Sequence, residues 1–235
     1  MRYRSAHGRA QTVVVLLTID AILHFIALLT SGLELALPTA EGVSETSDDP
    51  LVLLVGLLQI GVGLCQFLLY VATVVVFLMW LHRAYENLPA FGHWRSGIKF
   101  SSAWAVGSFF VPFVSLVVPY QAVKELWRKS EAASPLTFGE SGPPSFFPLW
   151  WGFWIVSNIV SQISFRMSLA QKAPADITNI VAIASDLLSI PAALLALAVV
   201  RSIDRRQTEA SREVSVQFPA PPSPPPTFQP VAGQM

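Results

Sequence analysis

The feature that most constrains this chain is an apolar stretch of 30 residues, 51–80, that contains no charged side chain. A helix rises about 1.5 Å per residue and the hydrocarbon core of a bilayer is about 30 Å thick, so about 20 apolar residues suffice to cross it. The whole chain is 53% hydrophobic and only 13% charged, whereas about a quarter of the residues of soluble domains are charged. The sequence therefore predicts an integral membrane protein.

Three further stretches have the length and apolar character of membrane spans, at about residues 11–31, 147–165 and 177–200. Residues 103–119 are also uncharged, but Pro112 lies in their middle and Pro119 at their end. Proline removes a helical hydrogen bond and clashes with the preceding turn. We therefore expect an all-α fold, a helical transmembrane bundle of four spans with a re-entrant or kinked segment at 103–119. A fifth full span at 103–119 is the alternative.

The distribution of Lys and Arg predicts the orientation of this bundle. Positively charged loops stay on the cytoplasmic side of a membrane. Residues 1–10 carry three arginines and the region after the last span carries four, whereas loop 33–50 carries five acidic residues and no basic one. These counts predict a multi-pass protein of the cytoplasmic membrane with both termini in the cytoplasm.

The two ends of the chain each invite a separate interpretation. A basic start followed by an apolar run is also typical of a cleaved signal peptide, but Asp20 and His24 interrupt this run and favour a retained span. Residues 203–235 end in the run FPAPPSPPPTFQP. Such a composition favours a disordered tail, with a ligand for a proline-binding module as the alternative.

Residues 120–130 show the periodicity of a short amphipathic helix. Tyr120, Val123 and Trp127 fall on one face, and basic side chains fall on the other. This arrangement is typical of a helix that lies at a membrane surface with its tryptophan turned inward. A docking site for a cytoplasmic protein is the alternative interpretation.

Three ionisable residues interrupt the predicted spans. Asp20 and His24 are four residues apart and share one helix face, and Asp186 lies in the last span. His24 follows Arg9 by 15 residues and Asp186 precedes Arg201 by 15, so the two side chains are expected at a similar depth. The sequence predicts a buried cluster of Asp20, His24 and Asp186. Either it is a proton or cation site or its hydrogen bonds fix how the helices pack.

Three sequence blocks resemble a known family. FLMWLHRAYENLPAFG at 77–92, KFSSAWAVGSFFVPFVSLVVPYQAVKELWRKS at 99–130 and WWGFWIVSNIV at 150–160 are similar to an uncharacterised bacterial membrane family, domain of unknown function 4328. The resemblance covers about residues 50–200 and implies a bacterial multi-span protein with no assigned activity or catalytic residue.

These blocks cluster on the predicted cytoplasmic side, around the proline-broken segment. We expect Arg83 to pair with Glu125 or to cap carbonyl groups freed by Pro112, and to form a polar centre with Trp127. Two separate contacts with lipid headgroups are the alternative to a shared centre.

No sequence motif supports catalysis. The chain contains no nucleophile elbow, zinc-protease pair, phosphate-binding loop or dinucleotide fingerprint, and its lone Cys65 excludes an internal disulfide framework. We therefore expect no enzyme activity, no cofactor, no metal and no nucleic-acid partner. The partners expected are the lipid bilayer and a protein at the cytoplasmic face, with homo-oligomerisation left open.

The predicted function is that of a scaffold, sensor or partner-binding membrane protein. A small transporter or channel subunit that uses the Asp/His cluster is the alternative, and an intramembrane enzyme is a more distant one.

Overall fold

The computed structural model describes residues 3–36, 50–92, 97–131, 142–170 and 174–217. Every regular element within these ranges is helical, so the predicted all-α class is confirmed. The α-helices are α1 (His7–Ala36), α2 (Pro50–Asn87), α3 (Ser102–Gly107), α4 (Val118–Lys129), α5 (Phe146–Ala170) and α6 (Ala175–Gln217). Short 3-10 helices cover Leu88–Phe91, Ser108–Phe110 and Val114–Leu116.

Within the described residues, three helical stretches are long and apolar enough to cross a membrane, not the four predicted. They are His7–Gly32, Ile60–Phe91 and Ile177–Val216. The predicted span at 147–165 is helical as part of α5, but α5 contains three tryptophans and four serines besides Asn158 and Gln162. These polar and amphipathic side chains lower its mean hydropathy, so α5 is not among the three helices that qualify by length and composition.

Contacts between distant residues define the direction of the long helices. The N–H of Arg4 donates to Asn87 Oδ1 (3.3 Å), and His7 Nδ1 lies 2.7 Å from Asp204 Oδ2. The start of α1 therefore lies beside the ends of α2 and α6. A connection of four residues joins α5 to α6, so these two helices run antiparallel, and Ser161 Oγ lies 2.7 Å from Ser185 Oγ across their contact.

The densest packing lies at the end of the bundle where α1 begins and α2 ends, which we call the packed end. Its fully buried side chains include Trp80, Leu81, Leu88, Phe91, Val123, Leu126, Phe147 and Ile203. Leu57 and Ile60 on α2 differ sharply, since they are 67% and 71% exposed. Such bare apolar surface on a long helix fits lipid rather than water as its solvent.

Residues 103–119 form a broken chain instead of one continuous helix. α3 ends at Gly107, and two 3-10 turns flank Pro112 and Phe113. Phe113 has a φ of 64° and the Val114 N–H donates to the Pro112 carbonyl at 2.7 Å, which together define a strained γ-turn. A fifth continuous span is therefore not formed here, in keeping with the preference for a kinked segment.

Two further boundaries differ from those predicted. The amphipathic helix at 120–130 is present as α4, but its apolar face is buried by other helices of the protein. The tail predicted from residue 203 is helical as far as Gln217, because Ile203, Gln207 and Ala210 continue a buried helical face. The proline-rich run after Gln217 lies outside the described residues.

Candidate functional site

His24 lies between the two carboxylates that the sequence analysis proposed as its partners. Its Nδ1 is 2.8 Å from Asp186 Oδ1 on α6, which is a hydrogen-bond distance. Its Nε2 is 3.8 Å from Asp20 Oδ2, one helical turn earlier on α1. The structure thus brings Asp20, His24 and Asp186 together, and each ring nitrogen of the histidine faces a different carboxylate.

α2 contributes a fourth member to this group. Gln66 Nε2 lies 3.3 Å from His24 Nδ1. We call Asp20, His24, Gln66 and Asp186 the membrane cluster. The sequence analysis did not assign Gln66 to it, although an amide in a long uncharged span is itself a signal for contacts between helices.

Polar contacts extend from the membrane cluster to α5. Tyr70, one turn after Gln66 on α2, donates from its hydroxyl group to Asn158 Oδ1 at 3.1 Å. Asn158 Nδ2 in turn donates to the Trp154 carbonyl at 2.7 Å. Sequence reasoning missed Tyr70, which follows Gln66 at the helical spacing of four residues. Side-chain hydrogen bonds therefore connect all four long helices at this depth.

The membrane cluster has the composition of a proton-binding site. The side chains of Asp20, His24 and Asp186 are only 13–17% exposed. An imidazole N–H can donate to a carboxylate at 2.8 Å, and histidine is the side chain that most readily gains or loses a proton near neutral pH. Among the residues that the structure describes, no three His, Cys, Asp or Glu side chains are arranged to hold a metal ion.

The predicted pairing of Arg83 with Glu125 was wrong. Arg83 Nη1 donates to Glu86 Oε2 at 2.9 Å on its own helix. Glu125 instead accepts the main-chain N–H groups of Lys99 (2.5 Å) and Phe100 (3.2 Å). It also accepts the hydroxyl of Tyr85, at 3.3 Å. Residues two apart on a helix point to different faces, so the helix that turns Tyr85 toward Glu125 turns Arg83 away.

The carbonyl groups near Pro112 also find partners other than Arg83. The indole Nε1–H of Trp151 on α5 donates to the Leu116 carbonyl at 2.8 Å. Val114 supplies the donor for the Pro112 carbonyl itself. Main-chain groups away from water must be satisfied internally, so Trp151 helps the broken segment to keep its shape.

Trp127 has a cationic neighbour, but it is Arg206 and not Arg83. The guanidinium carbon of Arg206 lies 3.7 Å from the centre of the Trp127 ring, and Arg206 also forms an ion pair with Glu131. The indole also packs edge-on against Phe147, with ring centres 6.0 Å apart. Arg206 was overlooked because the sequence analysis placed it in the tail.

Buried amide groups hold the packed end together, and we call Asn87, Ser130 and Gln207 the end network. Asn87 Nδ2 donates to Gln207 Oε1 at 3.3 Å. Gln207 Nε2 donates to the Ala84 carbonyl at 2.9 Å and to Ser130 Oγ at 3.2 Å. The three side chains connect α2, the end of α4 and α6, and Asn87 adds the N-terminal segment through Arg4.

A family model described as a domain of unknown function (DUF4328) matches residues 49–205. This match covers more than half of the chain, so the chain belongs to that family. No curated protein and no solved structure matches the chain.

Proposed function

We propose that this member of the DUF4328 family is a non-enzymatic, multi-pass protein of a bacterial cytoplasmic membrane that holds a protein partner at its packed end. The family match and the three apolar helices support the membrane setting. The observation that carries the partner-binding role is the position of α4. Its apolar face is buried against the protein, so its basic face is presented on a rigid support.

In the proposed topology both termini and the packed end lie in the cytoplasm. The start of α1 meets the last third of α6 at the His7–Asp204 contact, so these two parts of the chain lie on one side. Arg201, Arg205 and Arg212 on α6 lie at this end, and basic residues favour the cytoplasmic side. A reporter enzyme fused after Gln217 should be active only in the cytoplasm, and periplasmic activity would contradict this orientation.

This topology requires α5 to carry the chain back across the bilayer beside α6. The contacts of α5 support that role, because Asn158 bonds to Tyr70 and Ser161 to Ser185. Polar side chains that lower the mean hydropathy of α5 are thus turned toward other helices. In the same scheme the exposed tip of the broken segment, with Phe110, Phe113 and Leu116, dips into the inner leaflet.

The partner proposed for α4 carries an acidic surface. Arg128 is exposed and Lys124 partly exposed on the side of α4 away from its buried residues, Lys129 lies at the border of that side, and Lys99 is exposed on the preceding segment. A group of like charges favours partners of opposite charge and raises their association rate.

Photo-crosslinking in intact cells tests this proposal. A photoreactive residue at position 128 should form adducts with protein, whereas one at the exposed position 57 of α2 should react with lipid. Reversing Lys124 and Lys129 to Glu should reduce the protein adducts at position 128 about tenfold, because close like-charge contacts weaken binding by about 1.4 kcal/mol or more. Adducts with phospholipid alone at position 128 would contradict the docking role and place α4 among the headgroups.

One observation favours a second candidate, a small transporter or channel subunit. His24 faces a carboxylate from each ring nitrogen, an arrangement that can pass a proton from one side of the ring to the other. Proton uptake by proteoliposomes under a pH gradient tests it. The Asp20→Asn and Asp186→Asn variants should abolish uptake, and Asp204→Asn, at the packed end, should not. Uptake that is absent from the wild type excludes this candidate.

A further inference from the structure

A groove of about 380 Å³ opens on the side of the packed end, away from α4. Val75, Leu78, Met79, Val106 and Phe110 form its apolar lining, and Arg9 and His82 supply its basic groups. The groove thus lies between the start of α1, the second half of α2 and the beginning of the broken segment. Its volume is within the range of pockets that bind small ligands, about 300–1,000 Å³.

Polarity changes along the groove in the direction of the helix axes. Val75 and Met79 precede His82 on α2, and seven residues of helix correspond to about 10 Å. The apolar wall therefore points toward the middle of the bilayer, and the basic groups lie at the membrane surface. Trp104, on the helix that supplies Val106, is 46% exposed. An exposed tryptophan is typical of the headgroup level.

Arg9 is held in place within the groove before any ligand binds. Its Nη1 donates to the Met79 carbonyl at 3.0 Å. A guanidinium group has five N–H donors, so this bond fixes the side chain and leaves donors for a ligand. Glu86 lies 2.9 Å from Arg83 and 3.9 Å from His82 Nδ1, so His82 shares this carboxylate with Arg83. Arg9 forms no ion pair with any residue that the structure describes, so it is the main positive charge that the groove offers to a ligand.

We propose that this groove is a binding site for one anionic phospholipid, whose headgroup phosphate contacts Arg9 and His82 and whose acyl chain covers Val75, Met79 and Phe110. An amphiphile with a negative head matches both the charge at the surface and the apolar wall beneath it. A water-soluble anion would leave that wall uncovered, and a neutral lipid would leave Arg9 without a partner of opposite charge. The site is independent of α4 and of the proposed protein partner.

Native mass spectrometry of the full-length protein tests the site. Delipidated protein is titrated with phosphatidylglycerol or with phosphatidylcholine of the same acyl chains, and bound lipids are counted. We expect the first lipid to prefer the anionic headgroup. The Arg9→Gln variant should lower that preference about fivefold, the contribution of one basic side chain near a membrane surface.

Two matched variants make the result specific. Arg4→Gln removes one positive charge from the same end of α1 but outside the groove. The bond from Arg4 to Asn87 uses the main-chain N–H, so this variant keeps it. Arg4→Gln should therefore change the lipid preference less than about twofold. Val75→Trp fills the apolar part and should reduce retention of both lipids at the first site. Each variant is also heated in detergent without lipid, and only those that unfold at the wild-type temperature are compared.

Several results would overturn the proposal. The first is equal retention of the two lipids by the wild type. The second is an equal loss of lipid preference in Arg4→Gln and Arg9→Gln, because that result would indicate a diffuse electrostatic effect and not a site. Displacement of the bound lipid by millimolar inorganic phosphate or glycerol 3-phosphate would show that the site takes a soluble anion. Persistence of the lipid against both competitors supports binding through head and chain together.

Discussion

His24 and Asp186 meet at 2.8 Å across α1 and α6, and the same pair of residue types recurs at the packed end, where His7 lies 2.7 Å from Asp204. The histidines are 17 residues apart on α1 and the aspartates 18 apart on α6. Because the two helices are antiparallel, these nearly equal spacings place both pairs in one register. The two contacts thus specify how α1 and α6 align.

The inner pair should contribute more to stability than the outer pair. Replacing Asp186 with Leu leaves a mostly buried imidazole with one hydrogen bond fewer, and we expect the free energy of unfolding to fall by about 1–3 kcal/mol. Asp186→Asn keeps a hydrogen-bond acceptor for His24 and should lower the free energy of unfolding by only about 0.6 kcal/mol. Thermal unfolding in nanodiscs measures both effects.

Asp204→Leu is the matched control for this comparison. The side chain of His7 is 55% exposed, so water replaces the lost contact and the cost should stay below about 1 kcal/mol. If Asp186→Leu and Asp204→Leu lower the free energy of unfolding equally, depth in the bilayer does not strengthen the His–Asp contact.

Gln207 should be essential for the packed end. Its amide donates to the Ala84 carbonyl and to Ser130 and accepts from Asn87, all of them buried groups. Gln207→Ala leaves these partners unsatisfied and should destabilise the protein by about 1–3 kcal/mol. Glu209→Ala, two residues later, breaks an exposed ion pair and should cost less than about 0.5 kcal/mol. Chemical denaturation in detergent distinguishes them, and equal effects would contradict the end network.

Glu125 and Arg83 should be energetically independent. Glu125→Ala removes the acceptor for two main-chain N–H groups and should cost about 1–3 kcal/mol. Arg83→Ala removes a partly exposed pair on one helix and should cost about 0.3–0.5 kcal/mol. A double-mutant cycle should return a coupling energy below about 0.5 kcal/mol. A larger coupling would restore the direct pairing that the sequence suggested.

Phe113 should combine backbone strain with membrane contact. The residue adopts a φ of 64° and its side chain is 85% exposed. Phe113→Gly relieves the positive φ and should raise stability in detergent by about 0.4–1 kcal/mol or more. The same change should weaken the quenching of tryptophan fluorescence by brominated lipid, because the apolar tip is lost.

Phe110→Gly serves as the control for backbone strain. Phe110 lies in a 3-10 helix at negative φ, so glycine there should lower stability by about 0.5–1 kcal/mol. If both glycine variants lower stability equally, the turn at Phe113 stores no strain.

Local periodicity and charge predicted the helical class, the position of each long helix and the juxtaposition of Asp20, His24 and Asp186. These features depend on spacing along a helix, which a single sequence records directly. The break around Pro112 was foreseeable for the same reason, because proline acts on its immediate neighbours. The membership in the family followed from whole blocks such as residues 77–92.

Partners chosen by packing could not be predicted in this way. Arg83 and Tyr85 are two residues apart, and only the rotation of α2 decides which of them meets Glu125. Gln207 and Arg206 were placed in a disordered tail together with the proline-rich run that follows them, although the spacing of Ile203, Gln207 and Ala210 continues the helix. The lower mean hydropathy of α5 has a similar origin in part, since Asn158 and Ser161 bond to neighbouring helices.

The exposure of Leu57 and Ile60 on α2 affects how this helix can respond to the thickness of the bilayer. Gln66 links α2 to α1, and the packed end clamps the helix from Trp80 onward, whereas Leu57 and Ile60 are almost wholly uncovered. A helix that is packed against the protein at one end and exposed at the other can match a thicker or thinner bilayer by changing its tilt. A change in lipid chain length should therefore move the region of α2 around Leu57 and Ile60. The packed end, with the hydrogen bonds of Gln207, should keep its geometry.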